Sequence, residues 1–169
     1  NTMPFFGQKE QNKTERELKA FVSGRVIPVE KVDDPVFSTK MLGDGVAILP
    51  EGGPPEGWTI TAPGDGEIAM VADTGHAVGM RLDNGAELLI HIGRDTIALE
   101  GKGFTPLVHQ GQRVRAGELL VKFDRDLIEE KGYATDCIML IANRDEFPGL
   151  RFMSGMDAVQ NETAIGRFG

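Results

Sequence analysis

The dipeptide Asn84-Gly85, flanked by two apolar runs, constrains the fold of this chain more than any other short stretch. Asn-Gly in this setting is the strongest short-range signal for a β-hairpin, because both positions of the tight turn need positive φ. With these two residues as the loop, His91 lies opposite Val78 and His76 lies opposite Gly93. The two histidines then become diagonal neighbours on one face of the sheet, with backbones roughly 7–8 Å apart. The residues predicted to share that face are His76, Val78, Met80, Leu89 and His91.

Short apolar runs separated by turn residues continue along most of the chain. The 22 glycines and 9 prolines interrupt the sequence too often for long helices. The predicted strands are residues 23–29, 45–49, 58–61, 66–72, 76–82, 86–92, 119–123, 137–142 and 164–168. Two short helices are predicted at residues 105–110 and 126–131, the second capped by Asp124 and ended by Gly132. This spacing indicates an all-β fold, an antiparallel β-sandwich or barrel with one or two short helices.

Length and composition describe one domain and exclude several classes of protein. We expect a flexible polar leader over residues 1–20, with residues 1–2 as a tag remnant, and a single domain over residues 21–169. The single cysteine, Cys137, excludes an internal disulfide framework and a Cys-rich zinc site. The net charge of −8 argues against nucleic acid or an anionic membrane as the main partner. With no signal peptide and no apolar run near the roughly 20 residues of a membrane span, we expect a cytoplasmic protein.

Two imidazoles ringed by apolar side chains are consistent with three kinds of site. The first is a pair of partly buried histidines bonded to backbone groups. The second is a metal site, although zinc takes three or four protein ligands and His109 lies in a different segment. The third is a phosphoryl-accepting histidine, because a neutral imidazole has a free lone pair and a second one can donate to phosphoryl oxygens. Geometry alone leaves all three open.

The segment 85–97 reads Gly-Ala-Glu-Leu-Leu-Ile-His-Ile-Gly-Arg-Asp-Thr-Ile and has His91 at its centre. It resembles the phosphorylation-site signature of the glucose-type IIA proteins of the bacterial phosphoenolpyruvate-dependent sugar phosphotransferase system. Residues 36–48, 62–66, 74–77, 100–104 and 111–114 resemble the same family in the same order. The resemblance covers residues 22–169 and implies an antiparallel β-sandwich of the duplicated hybrid-motif type.

The resemblance also implies a function and the residues that perform it. In this family His91 would accept a phosphoryl group from the phosphocarrier HPr and pass it to a cysteine on the IIB domain of a glucose-family sugar permease. His76 would bond the phosphoryl oxygens, and Thr74 would orient His76 through its hydroxyl. The alternative for Thr74 is simple turn chemistry before Gly75. The chain would be a phosphotransferase component with a phosphohistidine intermediate and no required cofactor.

A docking surface around the histidines is implied as well. Its apolar residues would be Phe37, Met41, Leu42 and Leu89. Its acidic rim would consist of Asp34 and Asp95, which would meet basic groups on HPr. The first three could instead be plain core, and Asp95 could be a loop cap or a solvated ion pair. Three residues depart from the family pattern, namely Arg94 in an aliphatic position, Ala72 in a position often filled by Phe, and Pro35 in an apolar one. We predict that Arg94 either contacts the transferred phosphoryl group or rejects some partners.

A different class of function is regulation, in which the unphosphorylated protein binds other enzymes or permeases. That role would use the same apolar face and could include a zinc ion shared by His76, His91 and a partner carboxylate. A biotin or lipoyl carrier is disfavoured by the lack of a Met-Lys-Met or Asp-Lys hairpin tip. A zinc endopeptidase is disfavoured because Ile92-Gly93, rather than a second ligand, follows His91. The short leader after Met3 indicates a freestanding protein.

Overall fold

The computed structural model describes residues 16–53 and 57–169, and most of its regular elements are β-strands. The strands are β1 (Glu17–Lys19), β2 (Gly24–Pro28), β3 (Asp44–Pro50), β4 (Trp58–Thr61), β5 (Gly66–Val71), β6 (Ala77–Leu82), β7 (Glu87–Ile92), β8 (Phe104–Pro106), β9 (Arg113–Val114), β10 (Leu119–Phe123), β11 (Cys137–Ile141), β12 (Arg151–Phe152), β13 (Asp157–Ala158) and β14 (Ala164–Arg167). The helices are α1 (Pro35–Ser38) and α2 (Arg125–Glu130), with short 3-10 turns at Val29–Lys31, Thr96–Leu99 and Arg144–Glu146.

The strands form one large and two small sheets. The large sheet has the order β13-β2-β3-β11-β7-β6-β5-β9, and the small ones have the orders β1-β14-β12 and β4-β10-β8. Every strand pair is antiparallel. The predicted class, an all-β antiparallel fold with short helices, is confirmed.

The middle of the large sheet is buried on both faces. All five residues of β11 are buried, which explains the unbroken apolar run there. Cys137 belongs to the main core, whereas Ile138 and Leu140 point the other way. They join a smaller core with Phe37 and Ala47 beneath α1. The face of the sheet that carries His91 is therefore packed against the smaller core. His91 pairs with Ile138 across β7 and β11.

The hairpin predicted from Asn84-Gly85 exists, but its loop has three residues. Leu82 N–H donates to Ala86 O at 2.9 Å and Gly85 N–H donates to Leu82 O at 2.9 Å. Of the loop residues only Gly85 has positive φ, at 92°. This is the geometry of a three-residue loop that ends in a left-handed glycine, in place of the predicted two-residue turn. The side-chain oxygen of Asn84 accepts from Ala86 N–H at 3.0 Å, which stabilises the longer loop.

The longer loop shifts the register by one residue. Ala77, not Val78, lies opposite His91, and Val78 lies opposite Ile90. The predicted grouping of Val78 and Met80 with the histidines is therefore wrong, because both side chains are 1% exposed in the main core. His91 and Leu89 occupy the opposite face, and both are half-buried there.

The other boundaries agree with the prediction to within one or two residues, and the strands 58–61 and 119–123 agree at both ends. The end of the predicted leader belongs to the folded domain. Glu17–Lys19 pair with β14, and Leu18 is 1% exposed because it packs in the main core. The domain therefore begins before residue 20, while residues 1–15, with the predicted tag remnant, lie outside the described residues.

One of the two predicted helices is confirmed. Asp124 caps α2 by accepting from Leu127 N–H at 3.1 Å, and Gly132 follows its end with φ 86°. The helix predicted at 105–110 is wrong, because Phe104–Pro106 pair with β10 as an edge strand. An edge strand tolerates Pro106, whose missing N–H would weaken a central strand. The short helix α1 was not predicted from the sequence.

Candidate functional site

His91 lies near the end of β7, and its surroundings determine which ring nitrogen carries the proton. Its Nδ1 lies 2.7 Å from the carbonyl oxygen of Gly93. Because a carbonyl only accepts, Nδ1 carries the hydrogen of the neutral ring and Nε2 carries the lone pair. Gly93 has φ 72°, and a Cβ there would lie 2.6 Å from Thr96 Cγ2 and 2.7 Å from Ala134 O. Only glycine fits this turn, so the turn that orients His91 depends on it.

His76 lies beside His91, at the point where β6 begins. Its carbonyl accepts from Ile92 N–H at 2.8 Å, which fixes its backbone against the end of β7. The two ring centroids are 5.0 Å apart, with the ring planes at 75°. The rings meet despite the register shift because His76 precedes the regular strand, so strict alternation of side chains no longer applies to it. The predicted proximity of the two histidines is therefore confirmed by a different route.

Thr74 contacts the far side of the His76 ring. Its hydroxyl oxygen lies 2.5 Å from Nδ1 of His76. A hydroxyl that donates to this nitrogen places the ring proton on Nε2, the remaining polar atom of the ring. The tight turn between Ala72 and Gly75, closed by a 2.8 Å backbone bond, sets Thr74 in this position. Turn chemistry and orientation of His76 are thus served by the same short segment.

Burial keeps both histidines neutral. It lowers the pKa of His91 below its ordinary value of about 6.5, against the opposing effects of the Gly93 carbonyl and the carboxylates of Asp34, Asp95 and Asp136. Burial also lowers the pKa of His76, and the nearby His91 lowers it further. At neutral pH both rings are therefore unprotonated, and His91 has the lone pair that a nucleophile needs.

The lowered pKa values predict the pH dependence of this site. A histidine with a lowered pKa stays neutral to more acidic pH, so we expect the lone pair of His91 to persist below pH 6.5. An NMR titration of the 15N-labelled imidazoles would report the macroscopic midpoints of the pair. Both are expected below about 6.5, the value for an unperturbed histidine. A midpoint above that value for either ring would contradict the burial argument.

The Thr74 contact gives a second prediction. Thr74→Val keeps the shape of the side chain but removes the hydroxyl, and we expect it to weaken the contribution of His76. One hydrogen bond is worth about 1–1.5 kcal/mol, so any step that uses the His76 proton should slow about five- to tenfold. Thr74→Ser retains the hydroxyl and is the matched control. Equal rates for the Val and Ser variants would assign Thr74 to turn formation alone.

The predicted apolar docking residues are split between core and surface. Phe37 is 5% exposed and belongs to the small core, but its ring also lies 5.3 Å from the His91 ring. Met41 and Leu42 are not core, with 71% and 45% of their surface exposed. Leu89 is half-buried on the His91 face and packs against the small core. Val36 and Ile97 were not predicted from the sequence; they are 44% and 62% exposed and lie in α1 and in the 3-10 turn after β7.

The charged residues near His91 have distinct local roles. Asp34 caps α1 by accepting from Val36 N–H at 3.0 Å, and Pro35 occupies the first position of that helix. Asp95 is exposed with φ 60° and makes no side-chain cap bond to the 3-10 turn that follows it. Arg94 forms an ion pair with Asp136, with its Nε 3.0 Å from Oδ1. Asp136 was not predicted from the sequence, because it follows Arg94 by 42 positions and no local pattern marks it.

The remaining polar candidates do not assemble a metal centre. Across residues 16–53 and 57–169, no group of three or more His, Cys, Asp or Glu side chains is placed to hold a metal ion. With both Nδ1 atoms engaged, the histidine pair offers two Nε2 atoms, fewer than the ligands zinc takes. The shared zinc ion therefore stays a prediction that needs donors from a partner. His109 is exposed.

This chain is similar to proteins of one known family. The family described as "phosphoenolpyruvate-dependent sugar phosphotransferase system, EIIA 1" matches residues 16–147. A glucose-specific EIIA component of Bacillus anthracis is 40% identical over 151 residues, which cover 89% of this chain and 88% of the relative. One from Haemophilus influenzae is 39% identical over 160 residues, which cover 95% and 93%. The solved glucose permease IIA from Mycoplasma capricolum has a TM-score of 0.74 and 31% identity over 89% of this chain and 93% of that one.

Proposed function

This chain belongs to the EIIA 1 family of the phosphoenolpyruvate-dependent sugar phosphotransferase system, and we propose that His91 is the residue through which it relays the phosphoryl group. The family makes it a phosphotransferase component of sugar uptake with a phosphohistidine intermediate. The observation that supports His91 is its ring geometry, with Nδ1 held by the Gly93 carbonyl and a second imidazole 5.0 Å away. This arrangement leaves Nε2 as the nucleophile.

The acceptance step is a direct transfer between two nitrogens. The lone pair on Nε2 of His91 attacks the phosphorus of phospho-HPr, and the bond to the HPr histidine breaks with its electron pair returning to that ring. Such a transition state has little covalent chemistry for the protein to assist, so positioning and charge stabilisation dominate. The proton on Nε2 of His76 donates to a phosphoryl oxygen as charge moves between the two proteins.

The delivery step reverses these roles toward a permease. A cysteine thiolate of the IIB domain attacks the phosphorus, the bond to Nε2 of His91 breaks, and the ring recovers its lone pair. His76 stabilises the oxygens again, and Thr74 holds its proton in place through the 2.5 Å contact. Both steps use one face, so HPr and IIB bind in alternation rather than together. We propose a glucose-family permease as the acceptor, with the sugar chosen by its IIB and IIC components.

Charge and shape around His91 support alternate binding of these two partners. Met41 and Leu42 are exposed and Leu89 is half-buried, while the carboxylates of Asp34 and Asp95 act electrostatically on His91 and add negative charge near it. With a net charge of −8, the chain would attract a basic HPr surface by electrostatic steering. We place this relay in the cytoplasm, where HPr would meet it. In residues 16–53 and 57–169 no helix is long and apolar enough to cross a membrane.

The proposal is tested by reconstituting the relay. Labelled phosphoenolpyruvate, enzyme I, HPr and this chain are mixed, and the chain is separated and checked for acid-labile, base-stable phosphate, which is the signature of phosphohistidine. Addition of a glucose-type IIB domain should then move the label to IIB. Omission of HPr is the control and should leave the chain unlabelled. Labelling at a residue other than His91 would contradict the assignment.

The regulatory role stays a second proposal. Binding of other enzymes or permeases would use the same face, and phosphorylation of His91 would add about two negative charges to it. Pull-down from a lysate with the phosphorylated and unphosphorylated forms, with and without zinc, distinguishes this role from the relay.

A further inference from the structure

Arg94 connects three separate segments next to His91. Its Nε donates to Oδ1 of Asp136 at 3.0 Å, and its Nη1 donates to the carbonyl oxygen of Asp33 at 2.7 Å. Its own backbone N–H donates to Ala134 O at 3.2 Å. One side chain thus joins the end of β7 to the segment before β11 and to the loop before α1.

Each of these segments bears directly on His91. The segment before β11 also receives the backbone N–H of Gly93, which donates to Asp136 O at 2.9 Å. The same Gly93 offers its carbonyl to Nδ1 of His91. On the other side, the loop at Asp33 leads into α1, whose Phe37 packs against the His91 ring. Arg94 is therefore bonded to both segments that hold the ring, the one that fixes the Gly93 turn and the one that leads to Phe37.

The ion pair with Arg94 also stabilises the buried charge of Asp136. The Asp136 side chain is only 6% exposed, and that of Arg94 is 25% exposed. A buried carboxylate without its partner is strongly unfavourable, whereas an apolar pair of similar volume is often tolerated.

We propose that Arg94 is a positioning residue for phosphoryl acceptance. It holds the Gly93 turn and the start of α1, so that the Nδ1–H of His91 stays hydrogen-bonded to the Gly93 carbonyl. The proposal rests on the proposed role of His91 as phosphoryl acceptor. It assigns Arg94 a role through the ring rather than through contact with the phosphoryl group or a partner.

Charge supplies a second effect of the same contact. The groups that face His91 are His76 from the start of β6, Asp34 before α1, Asp95 after β7 and Asp136 before β11. Asp136 already favours protonation of His91, and Arg94 offsets that charge directly. Without the guanidinium, the lone pair of His91 should be lost at higher pH.

Arg94→Met tests this inference in the whole chain, with phospho-HPr as donor. We expect acceptance to slow about tenfold at pH 6 but only about threefold at pH 8, because the unpaired Asp136 raises the pKa of His91. The 15N spectrum of His91 should change from an Nδ1–H tautomer to a mixture. Arg94→Met with Asp136→Leu removes both charges and should restore the wild-type pH dependence. Arg113→Met, which removes the partner of Asp83 at the hairpin loop, is the matched control and should change neither rate.

The outcomes separate this inference from the proposed function. If the wild-type chain is never labelled by phospho-HPr, the function itself fails. Suppose instead that the wild type is labelled, and that Arg94→Met has the same ratio of acceptance rates at pH 6 and pH 8 as the wild type and the same His91 tautomer. Arg94 then has no positioning role. Should Arg94→Met fail to fold, the double variant Arg94→Met with Asp136→Leu and the single variant Asp136→Asn are measured in its place. The inference is then wrong if Asp136→Asn leaves the titration midpoint of His91 unchanged.

Discussion

Replacing His91 by glutamine is expected to abolish phosphoryl labelling of the chain. Glutamine has a similar reach and retains hydrogen-bonding groups, but its amide nitrogen has no lone pair available to attack phosphorus. The rest of the site, including His76 and Thr74, would be unchanged, so the loss isolates the nucleophile. The measurement is label from phosphoenolpyruvate through enzyme I and HPr, with retained folding checked by circular dichroism.

His109→Gln is the matched control for this prediction. His109 is exposed, and its backbone N–H donates to Gln112 Oε1 at 3.2 Å. The control should accept label at the wild-type rate. Label on His91→Gln in amounts similar to the wild type would show that another group carries the phosphate, and the assignment of the site would then be wrong.

Replacing His76 by glutamine should separate the two halves of the relay. We expect His91 still to accept label, because its Nδ1 bond to Gly93 and its packing on Phe37 do not involve His76. Onward transfer to IIB should fall about 10²- to 10³-fold, the usual effect of losing one donor to a charged transition state. Acceptance uses the same donor, so labelling should be slower, but it should still reach completion because the nucleophile itself is intact.

Single-turnover measurement of each half gives a clear outcome. Purified, labelled His76→Gln protein is mixed with IIB, and the decay of its label is compared with that of the wild type. Decay at the wild-type rate would remove His76 from the mechanism. Loss of labelling from HPr together with loss of delivery would instead mean that His76 is needed to place His91.

Much of this site could be predicted from the sequence because its parts lie close together along the chain. His76 and His91 belong to one hairpin, and Thr74 is two residues from His76, so local patterns were enough to bring them together. The register was predicted one residue off because Asn-Gly suits two loop lengths. In the structure the side-chain bond of Asn84 to Ala86 favours the three-residue loop.

The parts that could not be predicted depend on contacts between distant segments. Asp136 reaches Arg94 only through the pairing of β7 with β11, which no short pattern encodes. Residues 105–110 were predicted as a helix, but pairing of Pro106 with Val121 in β10 determines the conformation there. The burial of Phe37 in the small core also depends on Ile138, about 100 residues later in the chain.

The three-residue loop at the far end of the hairpin also limits how this protein can change over evolutionary time. Surface loops usually tolerate insertions and deletions, but a shift of one residue here would exchange the two faces of β6 or β7. Val78 and Met80 would face outward, and the His91 face would take their place in the core. Substitution at Asp83 is open to drift, whereas loss of the Asn84 side-chain bond to Ala86 or a change of length is not. Related sequences should therefore vary in composition at this loop and agree in its length.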